Sequence, residues 1–265
     1  MTISSHNPKT WNPFSVDEMF AANEFDANKM VKHDIYGETV ITYNDLFKYP
    51  HRVKDYFLNA PAPLWAASWG EWKDFPGGKN DIEYWDCRHN HVLHQTLDVY
   101  KVIDKIIYFN YSYSPISADD PFTHTNIRSV MTNMFQWKNR PPLTNIPDCF
   151  GNQPHPDGMD VKYAVTIGLN DEEDIIENGI GFYESIHGTY KLTPETERLI
   201  LVPDNMENGR SYYNERPEKF WKMPPKILKH DFNKLIIYKG EMFHGAYHNK
   251  LDFMNYPRIT MASFL

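Results

Sequence analysis

The spacing of hydrophobic and polar positions changes character near residue 110. Before that point, apolar residues recur at helical intervals. Residues 90–108 carry Val92, Leu93, Leu97, Val99, Tyr100, Ile103, Ile106 and Ile107 on one predicted helix face. Residues 38–43 are β-branched and predict a strand. A helix is expected after it, with Leu46, Phe47, Val53, Tyr56 and Phe57 on one side. Thr42 or Asn44 would cap this helix, or it begins near Pro50, because a first turn tolerates proline. Further on, short apolar runs stand between Gly, Pro and Asn clusters, at 129–136, 161–169, 180–185, 198–203, 234–239 and 258–264. That is the punctuation of strands. In 161–169 and 258–265 polar or small residues alternate with large apolar ones. There is no repeat, low-complexity tract or long flexible linker, so one domain over 1–265 is expected. Its helical support region would cover about 1–110 and its β core about 120–265.

Composition sharpens this picture at three points. Hydrophobic residues at 41% and charged residues at 23% exclude wholesale disorder, and 15% aromatics suit a β-rich fold or a deep lined cavity. Lys+Arg of 27 against Asp+Glu of 35 gives a net charge of −8, so no general footprint for nucleic acid or anionic membrane is expected. Cys87 and Cys149 are too few for a disulfide framework or a four-sulfur zinc site, which favours a reducing, cytoplasmic setting. The N-terminal residues do not read as a signal peptide, and no apolar stretch has the length of an ordinary membrane-spanning helix. The oligomeric state is not legible.

The candidate chemistry lies in the β half. His155-Pro156-Asp157 is the one H-x-D pattern in the chain. Residues two apart in a strand point the same way, so both side chains could meet one ion. Residues 234–245 read as a strand, a turn and a histidine, His244, opening the next element. Arg258-Ile259-Thr260 follows inside the terminal strand. Two histidines and one carboxylate form a facial triad that leaves open positions on non-haem Fe(II). An arginine behind it suits a small dicarboxylate, because guanidinium pairs with carboxylate through two parallel bonds. A rival cluster, Cys87 with His89, His91 and His94, has donors that suit zinc, but no second cluster lies near enough in sequence to complete it. The tryptophans at 65–85 read mainly as core, and Asp171-Glu172-Glu173-Asp174 as a solvated loop. The long segment 203–225 is a candidate lid.

In this ordered set the chain resembles the Fe(II)- and 2-oxoglutarate-dependent oxygenase superfamily, in its prolyl-hydroxylase-like branch. The resemblance spans about 35–265 and rests on His155-Pro156-Asp157, Gly168-Leu169-Asn170-Asp171, Gly179-Ile180-Gly181-Phe182, His244 and Arg258. It implies a mainly β protein with N-terminal helices around a double-stranded β-helix, a jelly-roll of the cupin-like kind. It also implies that His155, Asp157 and His244 hold Fe(II), that 2-oxoglutarate and O2 are co-substrates, and that Arg258, aided by Thr260, holds the far carboxylate. The substrate would be a peptide, amino acid or other small metabolite hydroxylated at C–H, with succinate and CO2 as co-products. The chain departs from the pattern at Gly168 and Asn145, where relatives often have tyrosine, and in the turn Asn178-Gly179-Ile180-Gly181. Thr166, Gln153 or Asn145 is therefore expected to supply the missing hydrogen bonds. The intact Asp157 disfavours a halogenase. The alternative is a non-catalytic or other-metal cupin-like binding protein, or an interaction protein on the same fold.

Overall fold

The structure is a computed structural model that describes residues 15–59, 82–88, 98–113, 129–137, 154–158, 160–193, 221–248 and 252–265. The alternating runs become ten strands: β1 (Met30–Ile35), β2 (Glu38–Tyr43), β3 (Ile82–Arg88), β4 (Ser129–Trp137), β5 (Ala164–Gly168), β6 (Asn178–Phe182), β7 (Lys226–Lys229), β8 (Lys234–Tyr238), β9 (His244–His248) and β10 (Arg258–Phe264). β1 and β2 form a hairpin over Tyr36 and Gly37, both at positive φ (58° and 83°), the turn whose twist matches paired strands.

A large sheet has the order β1-β2-β8-β5-β10-β4-β3, a small one β7-β6-β9, and all pairings are antiparallel. His155 adds a fourth position to the small sheet by bridging to His244. From β4 onward the chain winds between sheets: β4 large, His155 small, β5 large, β6 and β7 small, β8 large, β9 small, β10 large. That winding makes the protein a double-stranded β-helix, with β1, β2 and β3 extending the large sheet at its edges.

Both faces of the large sheet are covered along β5, β8 and β10. On one side Val165, Ile167, Leu235, Ile237, Ile259 and Met261 pack with Met19 of α1 (Val16–Met19), with Val53 and Phe57 of α2 (Pro50–Asn59) and with Val99, Ile103, Ile106 and Ile107 of α3 (Asp98–Tyr111). On the other, Ala164, Ile236 and Tyr238 pack with Ile180 and Phe182 of the small sheet. Burial of each Val, Leu, Ile, Met or Phe side chain among these contributes about 1.5–3 kcal/mol. All five residues of β5 are consequently buried. The alternation seen in the sequence separates a helix-covered face from an inter-sheet face, rather than core from solvent.

Several boundaries differ from expectation. The helix after β2 starts at Pro50, while Thr42 belongs to β2. Leu46 and Phe47 are buried but precede the helix, because Asn233 takes the backbone of Phe47 from both sides. Phe47 N donates to Asn233 Oδ1 (2.8 Å) and Asn233 Nδ2 donates to Phe47 O (2.9 Å). α3 is described from Asp98 onward, and Val92, Leu93 and Leu97 lie outside the described residues, as does 198–203. The N-terminal support region supplies β1, β2 and β3 as well as helices. The expected turn at 178–181 lies within strand β6, where a Cβ on Gly179 would stand 2.3 Å from the Leu228 carbonyl oxygen of β7. Glycine there permits close strand approach rather than a turn.

Candidate metal centre

Two segments from opposite ends of the β half are clamped together at the cluster. His155 N donates to His244 O (2.9 Å) and His244 N returns the bond to His155 O (3.0 Å). Asp157 N donates to Gly240 O (2.8 Å), fixing the carboxylate two residues on. This brings one potential ligand atom each from His155, Asp157 and His244 within 4.8 Å of one another. Bonds of about 2.1 Å to a shared ion would draw them closer still.

The protonation states follow from hydrogen bonding and burial. His244 Nδ1–H donates to the Met242 carbonyl (2.9 Å), which leaves Nε2 as a lone pair 3.5 Å from Asp157 Oδ2. Burial pulls the His244 pKa down to about 4. Burial pushes the Asp157 carboxyl up to about 6, with His155 and a hydrogen bond from Tyr238 opposing that rise. At neutral pH the pair is therefore a neutral imidazole facing a carboxylate, two acceptors with no proton between them, and not an ion pair. Asp157 Oδ2 is buried and has no hydrogen-bond partner among the described residues. A buried anionic oxygen in that position is costly unless a cation meets it. The donor set therefore fits a divalent metal of the kind that takes imidazole and carboxylate ligands.

The cluster opens into a cavity of about 90 Å³ between the sheets, whose lining also includes Thr166, His230, Tyr238, Arg258 and Thr260. Arg258 is buried in β10. Its Nε donates to Asn178 Oδ1 (2.8 Å), and its Nη2 donates to the Gly179 carbonyl (3.1 Å) and lies 3.4 Å from His230 Nδ1. Asn170 positions the start of that strand, accepting from Ile259 N (2.9 Å) and donating to Pro257 O (2.8 Å). His230 Nε2 lies 2.8 Å from Thr166 Oγ1. Thr260 Oγ1 is buried without a hydrogen-bond partner among the described residues. Gly168 sits opposite Thr260, and a Cβ there would stand 2.9 Å from His230 Cβ. His230 thus occupies the room that a side chain at 168 would need.

The structure brings His155, Asp157 and His244 together and places Thr166, Arg258 and Thr260 on the same cavity. Gln153 and Asn145 lie outside the described residues, as do His89, His91, His94, Trp65, Trp69, Trp72 and 203–220. Trp221, at the end of the candidate lid, packs against Tyr183 and Phe243. In the acidic run, Asp171 and Glu172 pair with Lys54. Sequence reasoning missed His230, Asn178 and Tyr238. Tyr238 carried a signal, since it shares the inter-sheet face of β8 with Ile236. His230 and Asn178 carried none beyond the bare Gly168.

Fold and cluster together define a double-stranded β-helix protein with a two-histidine, one-carboxylate candidate metal site. No family model and no curated protein matches the sequence. Among solved structures, the chain is similar to a putative oxygenase from Shewanella oneidensis, with 12% identity over 100% of this chain and 87% of that chain and a TM-score of 0.42. It is also similar to the non-heme alpha ketoglutarate dependent carbocyclase SnoK from nogalamycin biosynthesis, with 8% identity over 86% of this chain and 79% of that chain and a TM-score of 0.40. The corresponding epimerase SnoN is 13% identical over 52% of this chain and 47% of that chain, with a TM-score of 0.28, so the match spans about half the length of SnoN. No helix among the described residues is long and apolar enough to cross a membrane.

Proposed function

We propose that the protein is an Fe(II)- and 2-oxoglutarate-dependent oxygenase that hydroxylates a C–H bond of a small molecule or peptide. The observation that carries this reading is the pair of buried acceptors, His244 Nε2 and Asp157 Oδ2, facing each other 3.5 Å apart beside His155. These three residues would hold the iron. Iron, when bound, supplies oxidising chemistry with O2, coupled to conversion of 2-oxoglutarate to succinate and CO2. Tyr238 holds the Asp157 carboxylate through a hydrogen bond. The Met242 carbonyl keeps the His244 lone pair on Nε2. Arg258 places a fixed positive charge in the cavity, where a dicarboxylate's far end would be attracted, and Thr166 and Thr260 line the same wall. Ile180, Ala246, Ala262 and Phe264 supply apolar lining that limits water. The net charge of −8 favours a substrate other than nucleic acid.

Anaerobic addition of Fe(II) and then 2-oxoglutarate tests the reading. A weak visible charge-transfer band in the green is expected for the wild type and its absence for Asp157→Ala. No band with wild-type protein would favour the cupin-like binding protein instead.

A further inference from the structure

The bare position at Gly168 and the ring that fills it carry a consequence for ligand recognition. His230 is 4% exposed, comes from the link between β7 and β8, and enters the cavity beside Arg258 and Thr166. Its two nitrogens face different partners, Nδ1 towards Arg258 Nη2 (3.4 Å) and Nε2 towards Thr166 Oγ1 (2.8 Å). A guanidinium can only donate. A proton on Nδ1 would set two donors against each other, so Nδ1 accepts and the ring proton sits on Nε2. Burial and the Arg258 cation push the His230 pKa well below its usual value, which keeps the ring neutral. Nε2–H then donates to Thr166 Oγ1. Thr166 makes no other side-chain hydrogen bond among the described residues, so its own hydroxyl proton is left to face the cavity.

We infer that His230 is a positioning residue that fixes the direction of this hydrogen-bond chain, so that Thr166 offers its proton, alongside Arg258, to a carboxylate in the cavity. The inference rests on the reading of the cavity as the 2-oxoglutarate site. Thr260, whose buried Oγ1 lacks a partner among the described residues, adds a further hydroxyl to the same wall. His230 thereby does two things at once. It fills the space over Gly168 and orients a donor two residues earlier on the same strand, β5.

Calorimetric titration of the Mn(II)-loaded protein with 2-oxoglutarate, and with pyruvate as a probe lacking the far carboxylate, tests this without turnover. His230→Phe fills the same space without hydrogen bonding, and is expected to raise the 2-oxoglutarate Kd by about tenfold or more while pyruvate and Mn(II) binding stay within about twofold. The amide of His230→Gln can accept from Arg258 and donate to Thr166, so this variant is expected to return to within about threefold of wild type. Thr166→Val should match the loss in His230→Phe, and the double variant should be no worse than either single one. Unchanged 2-oxoglutarate binding in His230→Phe, equal losses for 2-oxoglutarate and pyruvate, or additive losses in the double variant would overturn the inference alone. Wild-type protein that binds Mn(II) but not 2-oxoglutarate would overturn the oxygenase reading, and this inference with it.

Discussion

Replacing Asp157 with asparagine is expected to stabilise the metal-free protein while abolishing metal binding. Burial raises the carboxyl from 3.8 to about 6. A folded-state pKa above the unfolded one means that the stability contribution is fully present below 3.8 and is lost as pH rises through about 6. At 1.36 kcal/mol per pKa step, the ionised carboxylate costs the metal-free fold about 3 kcal/mol at pH 8. Asparagine removes the charge, keeps the volume and still accepts from Tyr238. For a chain of this size the variant should therefore melt higher by about 6–12 °C at pH 8 in chelator. The gain should fade towards pH 4, where Asp157 of the wild type is protonated. His244 has the opposite sign, because its pKa of about 4 makes stability present above 6.5 and lost as pH falls through about 4. Both proteins contain His244, so it cancels in the difference. Adding Mn(II) at about 100 times its Kd should stabilise the wild type by about 2.7 kcal/mol and the variant by nothing. Thermal melts at pH 8, 6 and 4, with chelator and with Mn(II), check all of this. A variant less stable than wild type at pH 8, or a difference independent of pH, would refute the buried-charge account.

Two further outcomes follow from the cavity wall. Arg258→Lys should raise the 2-oxoglutarate Kd by about tenfold and leave metal affinity measured without co-substrate almost unchanged; equal losses in the two titrations would make Arg258 purely structural. Gly168→Ala brings a methyl to 2.9 Å from His230 Cβ and 3.1 Å from the Asp231 carbonyl oxygen. It should destabilise the fold by about 1–3 kcal/mol in urea titration and weaken 2-oxoglutarate binding as His230 is displaced, whereas wild-type values for both would show that the ring yields without consequence.

Much of the β half could be read directly from the chain. Period-two alternation placed β5 and β10, a short apolar run placed β8, and β-branched residues placed β2, because these signals are local properties of an extended backbone. The candidate ligands were also readable. His155 and Asp157 are neighbours in sequence, and His244 opens an element after a strong strand. Arg258 lies within the last alternating run. The helix start was less legible. Leu46 and Phe47 fit a helical face, but Asn233, far along the chain, takes the Phe47 backbone (|i−j| = 186).

Alternation states that the two faces of a strand differ; it does not state what covers each. Only the winding between two sheets decides that Val165 and Ile167 meet helices while Thr166 meets the cavity. The same holds for the wall around Arg258. Thr166 and His230 are 64 residues apart in the chain, and His230 and Arg258 are 28 apart. No local propensity links such positions. Which residues have the chemistry to bind a metal and a carboxylate is already written in the chain. Packing alone leaves Asp157 Oδ2 buried without a proton donor among the described residues, and puts His230, rather than a side chain at 168, in place to orient the pocket. It could decide this because burial and hydrogen-bond direction exist only once distant strands are packed together.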